Sequence, residues 1–590
     1  MNFNKLFVLI MITVFGISSC EKQQVEEKKA ETIPAIDVRN MDKSVTPGTD
    51  FFKYVNGGWM KNNPIPADES RWGAFNVLDE ENQAKLKVLF EEASSGKHTD
   101  DIWRKIGDFY YSGLDTNNIE KQGIEPLKVF FNKIDNAKTS DDIQKVASEF
   151  GSYGIGVFFG YYVGADDKNS TMNIFNLYQG GLTLPDKDYY LENNDRMKKI
   201  RDEYKKHITK MFELYGYAND KAINAAETII KIETELATVS RSKVDLRVPE
   251  KNYNMTELTK LQTATPNFKW NLFFEGIGIQ SPASINVGQP EFFSSFSKII
   301  AIYPVDNWQE FLRWKILTES ANYIGKKFEE ENFNFFGKTL TGVEQMKDRW
   351  KRVLNTTNGL MGEAVGKIYV EKYFPPAAKE RMLNLVDNLK LALKDRITNL
   401  TWMTDVTKEK ALVKLEKMRV KIGYPNKWKD YSPVVISRDS YVMNVMNASK
   451  FLTSDNLNKV GKPVDKEEWH MSPQTVNAYY SPNGNEIVFP AAILQPPFFN
   501  LDADDAVNYG AIGVVIGHEM THGFDDQGRS YDGDGNMTDW WTKEDADKFN
   551  QKAQVLVDQF NGYKVINDMS INGQLTLGEN IADFGGLSVS

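Results

Sequence analysis

Cysteine is nearly missing from this chain: Cys20 is the only one in 590 residues, which excludes an internal disulfide. Histidine is scarce as well, with five in all, so any two at close spacing carry weight. There is no basic excess. The formal net charge is −10, which leaves no electrostatic footprint for nucleic acid. The N-terminal apolar run, Leu6 to Ile17, falls short of the roughly 20 residues a membrane-spanning helix needs. Repeats and long low-complexity linkers are absent too, which argues against a repeat array. What remains is an ordinary globular balance, 41% hydrophobic and 26% charged, on a length sufficient for a large two-lobed protein.

The first twenty residues have a secretory layout: Lys5, the apolar run, then the small residues Ser18 and Ser19 before Cys20. Small residues just ahead of a cysteine resemble a bacterial lipoprotein cleavage site. Residues 1–19 are therefore expected to be a signal peptide, with Cys20 lipidated and residues 20–40 forming a disordered, charged tether. The alternative is an ordinary cleaved signal with an incidental cysteine. The lipoprotein reading implies an exported protein, anchored in a membrane and facing the periplasm or cell surface.

From residue 41 to 428 the pattern is mostly helical. Met382, Leu385, Val386, Leu389 and Leu393 recur at helical spacing within 377–400, after Pro375 and Pro376. Residues 197–239 read as one or two helices, and 406–420 as another. A connecting segment is expected over 429–470. In 471–590 the texture changes. The turn signal Ser481-Pro482-Asn483-Gly484 precedes Glu486-Ile487-Val488-Phe489, an edge strand or hairpin. Residues 505–524 then read as a helix with Ile512, Val515 and Ile516 on an apolar face and Gly523 at its end.

That helix carries His518-Glu519-Met520-Thr521-His522. Histidines four apart point the same way about one turn apart, so both imidazoles can reach one metal ion, while Glu519 can activate a water without being a ligand. Composition alone predicts only about 0.006 such patterns in the chain. A catalytic zinc needs a third protein ligand. If Gly578 to Asp583 is helical, Glu579 and Asp583 share a face, and Glu579 could bind the metal while Asp583 takes the free N–H of a ligating histidine. A second metal reading fails: Asp532, Asp534 and Asn536 start like a calcium loop, but Met537 and Lys543 occupy its glycine and glutamate positions. An Asp- and Gly-rich turn is the better account.

Six blocks, in order, resemble the neprilysin family: Asp42 to Phe75, Gly180 to Leu191, Lys421 to Trp428, Val476 to Phe499, Val515 to Arg529 (VIGHEMTHGFDDQGR) and Gly578 to Gly586 (GENIADFGG). The resemblance covers nearly the whole chain beyond residue 40. It implies a mainly α fold with a small β component, in which a thermolysin-like catalytic lobe and a larger helical capping lobe enclose a cavity. It implies a zinc metalloendopeptidase acting on short peptides, with one Zn2+ per chain held by His518, His522 and Glu579. Glu519 would be the general base. Asp583 would be the histidine partner, also described in the family as a proton donor. Asn477 and Ala478 would hold the substrate backbone. Arg71 matches a family arginine that grips a peptide's C-terminal carboxylate, or is a surface helix-cap residue. A second family arginine is replaced by Asp79, which puts dipeptide removal in doubt. The family's oxyanion-stabilising histidine and arginine lie beyond Ser590, eleven residues after Glu579, so the resemblance implies a C-terminally truncated chain. The competing function is a surface-anchored peptide-binding lipoprotein with the same fold and no turnover. The intact Glu519 favours the enzyme.

Overall fold

The structure, a computed structural model, describes residues 36–566 and 568–590. The expected signal segment, Cys20 and most of the 20–40 tether lie outside the described residues. No helix among the described residues is long and apolar enough to cross a membrane. The chain divides into a short N-terminal unit ending at Asn62 and a second unit from Asn63 to Ser590. In the first, a single 3-10 turn, Val38–Asn40, is capped by the Asp37 carboxylate, and a helix follows over Phe51–Asn62.

The second unit is mainly helical, with two large hydrophobic cores that define two lobes and, among the described residues, a small third cluster of Ala553, Val557 and Leu577. The first core gathers residues from Leu127 to Phe335, with Val442, Met446 and Leu457. It is rich in aromatic rings. Phe159 stands among Phe268, Phe273, Phe293 and Phe296 at centroid distances of 5.3–5.6 Å, a spacing at which edge-on and tilted rings attract beyond simple burial. A four-stranded sheet lies here, in the order β1 (Gly160–Asp166), β2 (Asn169–Tyr178), β4 (Ser284–Val287), β3 (Met255–Glu257). The β1–β2 and β3–β4 pairs are antiparallel, and β2–β4 is parallel. The 197–239 stretch forms two helices, Asp195–Tyr215 and Asn219–Thr238. The break falls at Gly216, whose φ of 114° suits a residue without a Cβ.

The second core draws on residues 86–119, 353–494 and 499–589. The chain thus crosses between the cores more than once. The helix Pro376–Thr398 buries Met382, Leu385, Val386, Leu389 and Leu393, the stripe expected from their spacing. The helix expected over 406–420 is shorter: α1 spans Asp405–Lys417, and Arg419–Gly423 is strand β5. Pairing with β7 (Glu486–Pro490) overrides helical propensity there, and Lys421 finds a buried partner in Glu486, 2.9 Å away. The sheet order is β5-β7-β6, with β6 at Tyr479–Ser481. The hairpin is present, but β7 is its central strand and is buried at every position, so the edge is β6. The 505–524 helix is a short turn, Asp505–Asn508, a π-helical turn, Tyr509–Gly513, and α2, Val514–His522. Beyond it lie α3 (Lys543–Asn561), the small hairpin β8 (Lys564–Ile566) with β9 (Met569–Ser570), and α4 (Leu577–Val589).

Asp545, in the first turn of α3, ties α3 to the start of α1. Its carboxylate accepts from the Thr404 backbone N–H at 2.9 Å and from the hydroxyls of Thr404, Thr407 and Thr542 at 2.5–2.7 Å. The side chain is fully buried. Burial raises its pKa, but these donors outweigh that and hold it at about 2. An Asp whose folded pKa lies below its unfolded value stabilises the fold above the unfolded pKa and loses that contribution as pH falls through the folded one. The contribution is therefore about 2 kcal/mol, lost between roughly pH 4 and pH 2. Asp545→Ala, which also strands three hydroxyls, is expected to destabilise by about 2–4 kcal/mol in urea unfolding at pH 7. A midpoint equal to that of the native chain would remove Asp545 from this role.

Candidate metal centre and active site

The centre is made where α2 and α4 cross. Glycines allow the crossing to be tight: a Cβ on Gly586 would sit 2.5 Å from the Val514 carbonyl oxygen and 2.8 Å from the His518 nitrogen, and one on Gly517 would sit 2.9 Å from Gly586 Cα. Ile516 and Met520 anchor the opposite side of α2 in the second core. His518 and His522 are left on the outer face, one turn apart, and α4 brings Glu579 and Asp583 over them.

Three donor atoms converge. His518 Nε2 and His522 Nε2 are 3.0 Å apart, and Glu579 Oε2 lies 3.4 Å and 3.6 Å from them. A tetrahedral zinc with bonds of about 2.0–2.2 Å places its ligand atoms roughly 3.3–3.5 Å apart, so the three separations bracket the required edge. The outward nitrogens are also spoken for. His518 Nδ1 lies 2.8 Å from Asp583 Oδ1, and His522 Nδ1 lies 2.8 Å from Asp525 Oδ2. A hydrogen on each Nδ1 leaves both Nε2 lone pairs pointing at one another and at a carboxylate. Acceptors facing each other at 3 Å repel unless a cation sits among them, and so the donor set fits the metal. The same charges act on protons. Burial alone would lower both imidazoles, yet the hydrogen bonds to carboxylates push His518 up to about 9 and His522 up to about 10. When a proton rather than a metal stands on each Nε2, hydrogen bonds from the two histidines hold the Glu579 carboxyl well below the usual range.

Glu519 faces the same point from α2, its carboxylate within 4.8 Å of both histidine nitrogens. Burial pushes it up to about 7, against the pull of the two imidazoles and of the Tyr480 backbone N–H. A cleft of about 440 Å3 opens beside it, lined among others by Asn477, Ala478, Tyr480, Glu519 and Arg247. Asn477 and Ala478 lead directly into the edge strand β6. Asn477 also lines a neighbouring cavity of about 560 Å3 that holds Arg71 and Asp79. The structure thus brings the two histidines, Glu519, Glu579 and Asp583 together, sets Asn477 and Ala478 along the cleft, and places Arg71 one cavity further on. The Asp532 loop is a turn: its carboxylate accepts from the backbone of Asp534 and Asn536.

Three participants escaped the sequence. Asp525 is buried, and its second oxygen accepts from the backbone N–H groups of Gln527 and Gly528 at 2.9 and 2.7 Å. Its one signal was a carboxylate three residues past His522. Arg247 reaches the cleft from the first lobe and pairs with Asp526 at 2.9 Å. Lys414 on α1 is buried and donates to the carbonyls of Gly528 and Tyr531 at 2.7 Å, which holds the loop after α2. Nothing local marks either cation as special.

A metal held by two imidazoles and a carboxylate, with a buried carboxylate beside it and a strand edge along the cleft, is the equipment of a metal-dependent peptidase. Comparison with known proteins agrees. Peptidase family M13 matches residues 47–425 and 477–590. An endothelin-converting enzyme homolog from Locusta migratoria is 35% identical over 577 residues, covering 93% of this chain and 79% of that one. Neprilysin-3 of Drosophila melanogaster is 34% identical, covering 94% and 74%. The crystal structure of Mycobacterium tuberculosis zinc metalloprotease Zmp1 with an inhibitor superposes with a TM-score of 0.91 at 39% identity, covering 94% of this chain and 85% of that one. The chain belongs to peptidase family M13, the neprilysin family, and is a zinc metalloendopeptidase.

Asp525 offers a test of the outer hydrogen bonds. Asp525→Ala removes the partner of His522 Nδ1 and is expected to weaken zinc binding about 10- to 100-fold in competition with a chelator. Unchanged affinity would show that His522 is oriented by packing alone.

Proposed function

We propose that the chain hydrolyses short peptides in the cleft beside β6, with zinc held by His518, His522 and Glu579. The observation that carries this reading is the convergence of those three donor atoms at 3.0, 3.4 and 3.6 Å, with both outward Nδ1 atoms tied to carboxylates. When bound, zinc supplies Lewis acidity, polarising the scissile carbonyl and making water a competent nucleophile near neutral pH. The chain's own residues do the rest. Glu519 takes a proton from the attacking water and passes it to the leaving amine, shielded from bulk solvent by its burial. Asp583 and Asp525 fix the two imidazole rings. A peptide lying along Asn477 and Ala478 can extend the sheet beyond β6 through main-chain hydrogen bonds, which read the backbone rather than the side chains. Arg71, in the adjoining cavity, offers its guanidinium to a carboxylate of the substrate, with Asp79 on the same wall tempering that preference.

We further infer that the chain is exported and held at a membrane by lipid on Cys20, a reading that rests on the N-terminal sequence layout. Metabolic labelling with a palmitate analogue should mark the native chain and spare Cys20→Ser. Label on the variant, or none on the native chain, would overturn the anchor.

Two substitutions separate metal binding from turnover. Glu519→Gln keeps shape and zinc but cannot accept a proton, so cleavage of a fluorogenic peptide should fall at least about a hundredfold. Glu579→Ala should lose zinc on dialysis, because two histidines make an incomplete site. Near-normal turnover by the first, or full zinc content in the second, would refute the assigned roles.

A further inference from the structure

A separate cavity, of about 300 Å3, lies at the seam between the two cores. One wall is the helix Lys326–Asn332 and the π-helical turn Phe333–Leu340 that continues it, whose Phe328 and Phe335 belong to the first core. The other is the helix Arg349–Leu360, whose Val353 and Leu354 belong to the second, as does Tyr441. Rings of Tyr323, Phe333, Phe336 and Tyr441 line it. Within these walls the charges do not balance. The buried Glu329 carboxylate faces two guanidiniums, Arg349 at 3.2 Å and Arg352 at 2.9 Å. Neither arginine has a second carboxylate partner among the described residues, which leaves one positive charge in excess.

The polar atoms are unbalanced as well. Arg349 Nε donates to the Gly113 carbonyl at 2.8 Å, but its buried Nη2 has no hydrogen-bond partner. Asn332 gives its amide N–H to Asn322 Oδ1 at 3.0 Å and leaves its own buried oxygen unpartnered. Orphaned buried groups are uncommon in folded chains and each one calls for a reason. A π-helical turn at the same place is a second departure from economical packing, one that recurs at functional sites.

We propose that this cavity is a second ligand site, for a small monocarboxylate with an aromatic or branched apolar body. The carboxylate would sit against Nη2 of Arg349, the one nitrogen of that guanidinium left without a partner, in a charge-assisted hydrogen bond. One excess charge selects a monoanion over a dianion, and the rings enclose an uncharged body. Such a ligand touches both cores and so stabilises their packing when it binds.

Phenylacetate is a suitable probe, with phenylacetamide as its neutral isostere, both titrated calorimetrically into the zinc-loaded native protein. The acid should bind with a Kd of about 1 mM or tighter, and the amide at least about tenfold more weakly. Arg349→Gln should lose at least about tenfold in acid affinity. Met346→Trp fills the cavity and keeps the ion cluster intact, so it decides the matter if Arg349→Gln fails to fold, and it should abolish binding. Equal binding of acid and amide, acid binding that survives Met346→Trp, or no binding of the acid up to about 10 mM would each overturn the site.

Discussion

Four carboxylates, Glu519, Asp525, Glu579 and Asp583, surround two imidazoles at the crossing of two helices. So much negative charge in one place calls for positive charge at its centre, supplied either by a metal ion or by protons on the two imidazoles. Most of what is distinctive in the second lobe follows from that constraint. The glycines at 517, 585 and 586 exist to let the helices approach, since a carboxylate on α4 can reach α2 only across a bare backbone. The carboxylates on the outward imidazole nitrogens set the tautomers that turn both lone pairs inward. The turn after α2 is held by buried Lys414, and the base of α1 is held to α3 by buried Asp545.

The cleft inherits its chemistry from this arrangement. Glu519 sits on the same helix as the histidines but on its buried side, so its carboxyl is pushed up while Glu579, bonded to both imidazoles, is held down. Two carboxylates facing the same pair of imidazoles thereby take opposite characters, one suited to carrying a proton and the other to staying ionised. The strand edge at β6 adds main-chain donors and acceptors beside the cleft, which the proposed function uses to hold an extended peptide backbone. Arg247 brings a contribution from the first lobe to the same cleft, so the cleft is not the work of the second lobe alone.

Sequence reading went furthest where the signal is local. The His518–His522 spacing, the face shared by Glu579 and Asp583, the stripe within Pro376–Thr398 and the turn at 481–484 all depend on residues within a few positions of one another. It stopped where partners are distant. That 86–119 and 353–423 pack with the metal helix depends on contacts hundreds of residues apart. Arg419–Gly423 continues a helical pattern in sequence and becomes a strand only because β7 is available to pair with it. Asp525 looked like one more loop aspartate, and its role appears only once the His522 ring is seen to point at it. Arg247 and Lys414 are ordinary cations until the fold buries them. The same limit hid the cavity at the seam, whose charge imbalance exists only after Glu329, Arg349 and Arg352 are brought together.

The central claim is that His518, His522 and Glu579 together hold one zinc ion. Crystals of the zinc-loaded protein, measured on both sides of the zinc absorption edge, test it without reference to activity. The account predicts one anomalous peak among these residues, about 2.0–2.2 Å from each histidine Nε2 and from the Glu579 carboxylate. A peak bonded to the histidines with Glu579 turned away, or no peak at this crossing in protein that cleaves peptides, would contradict it.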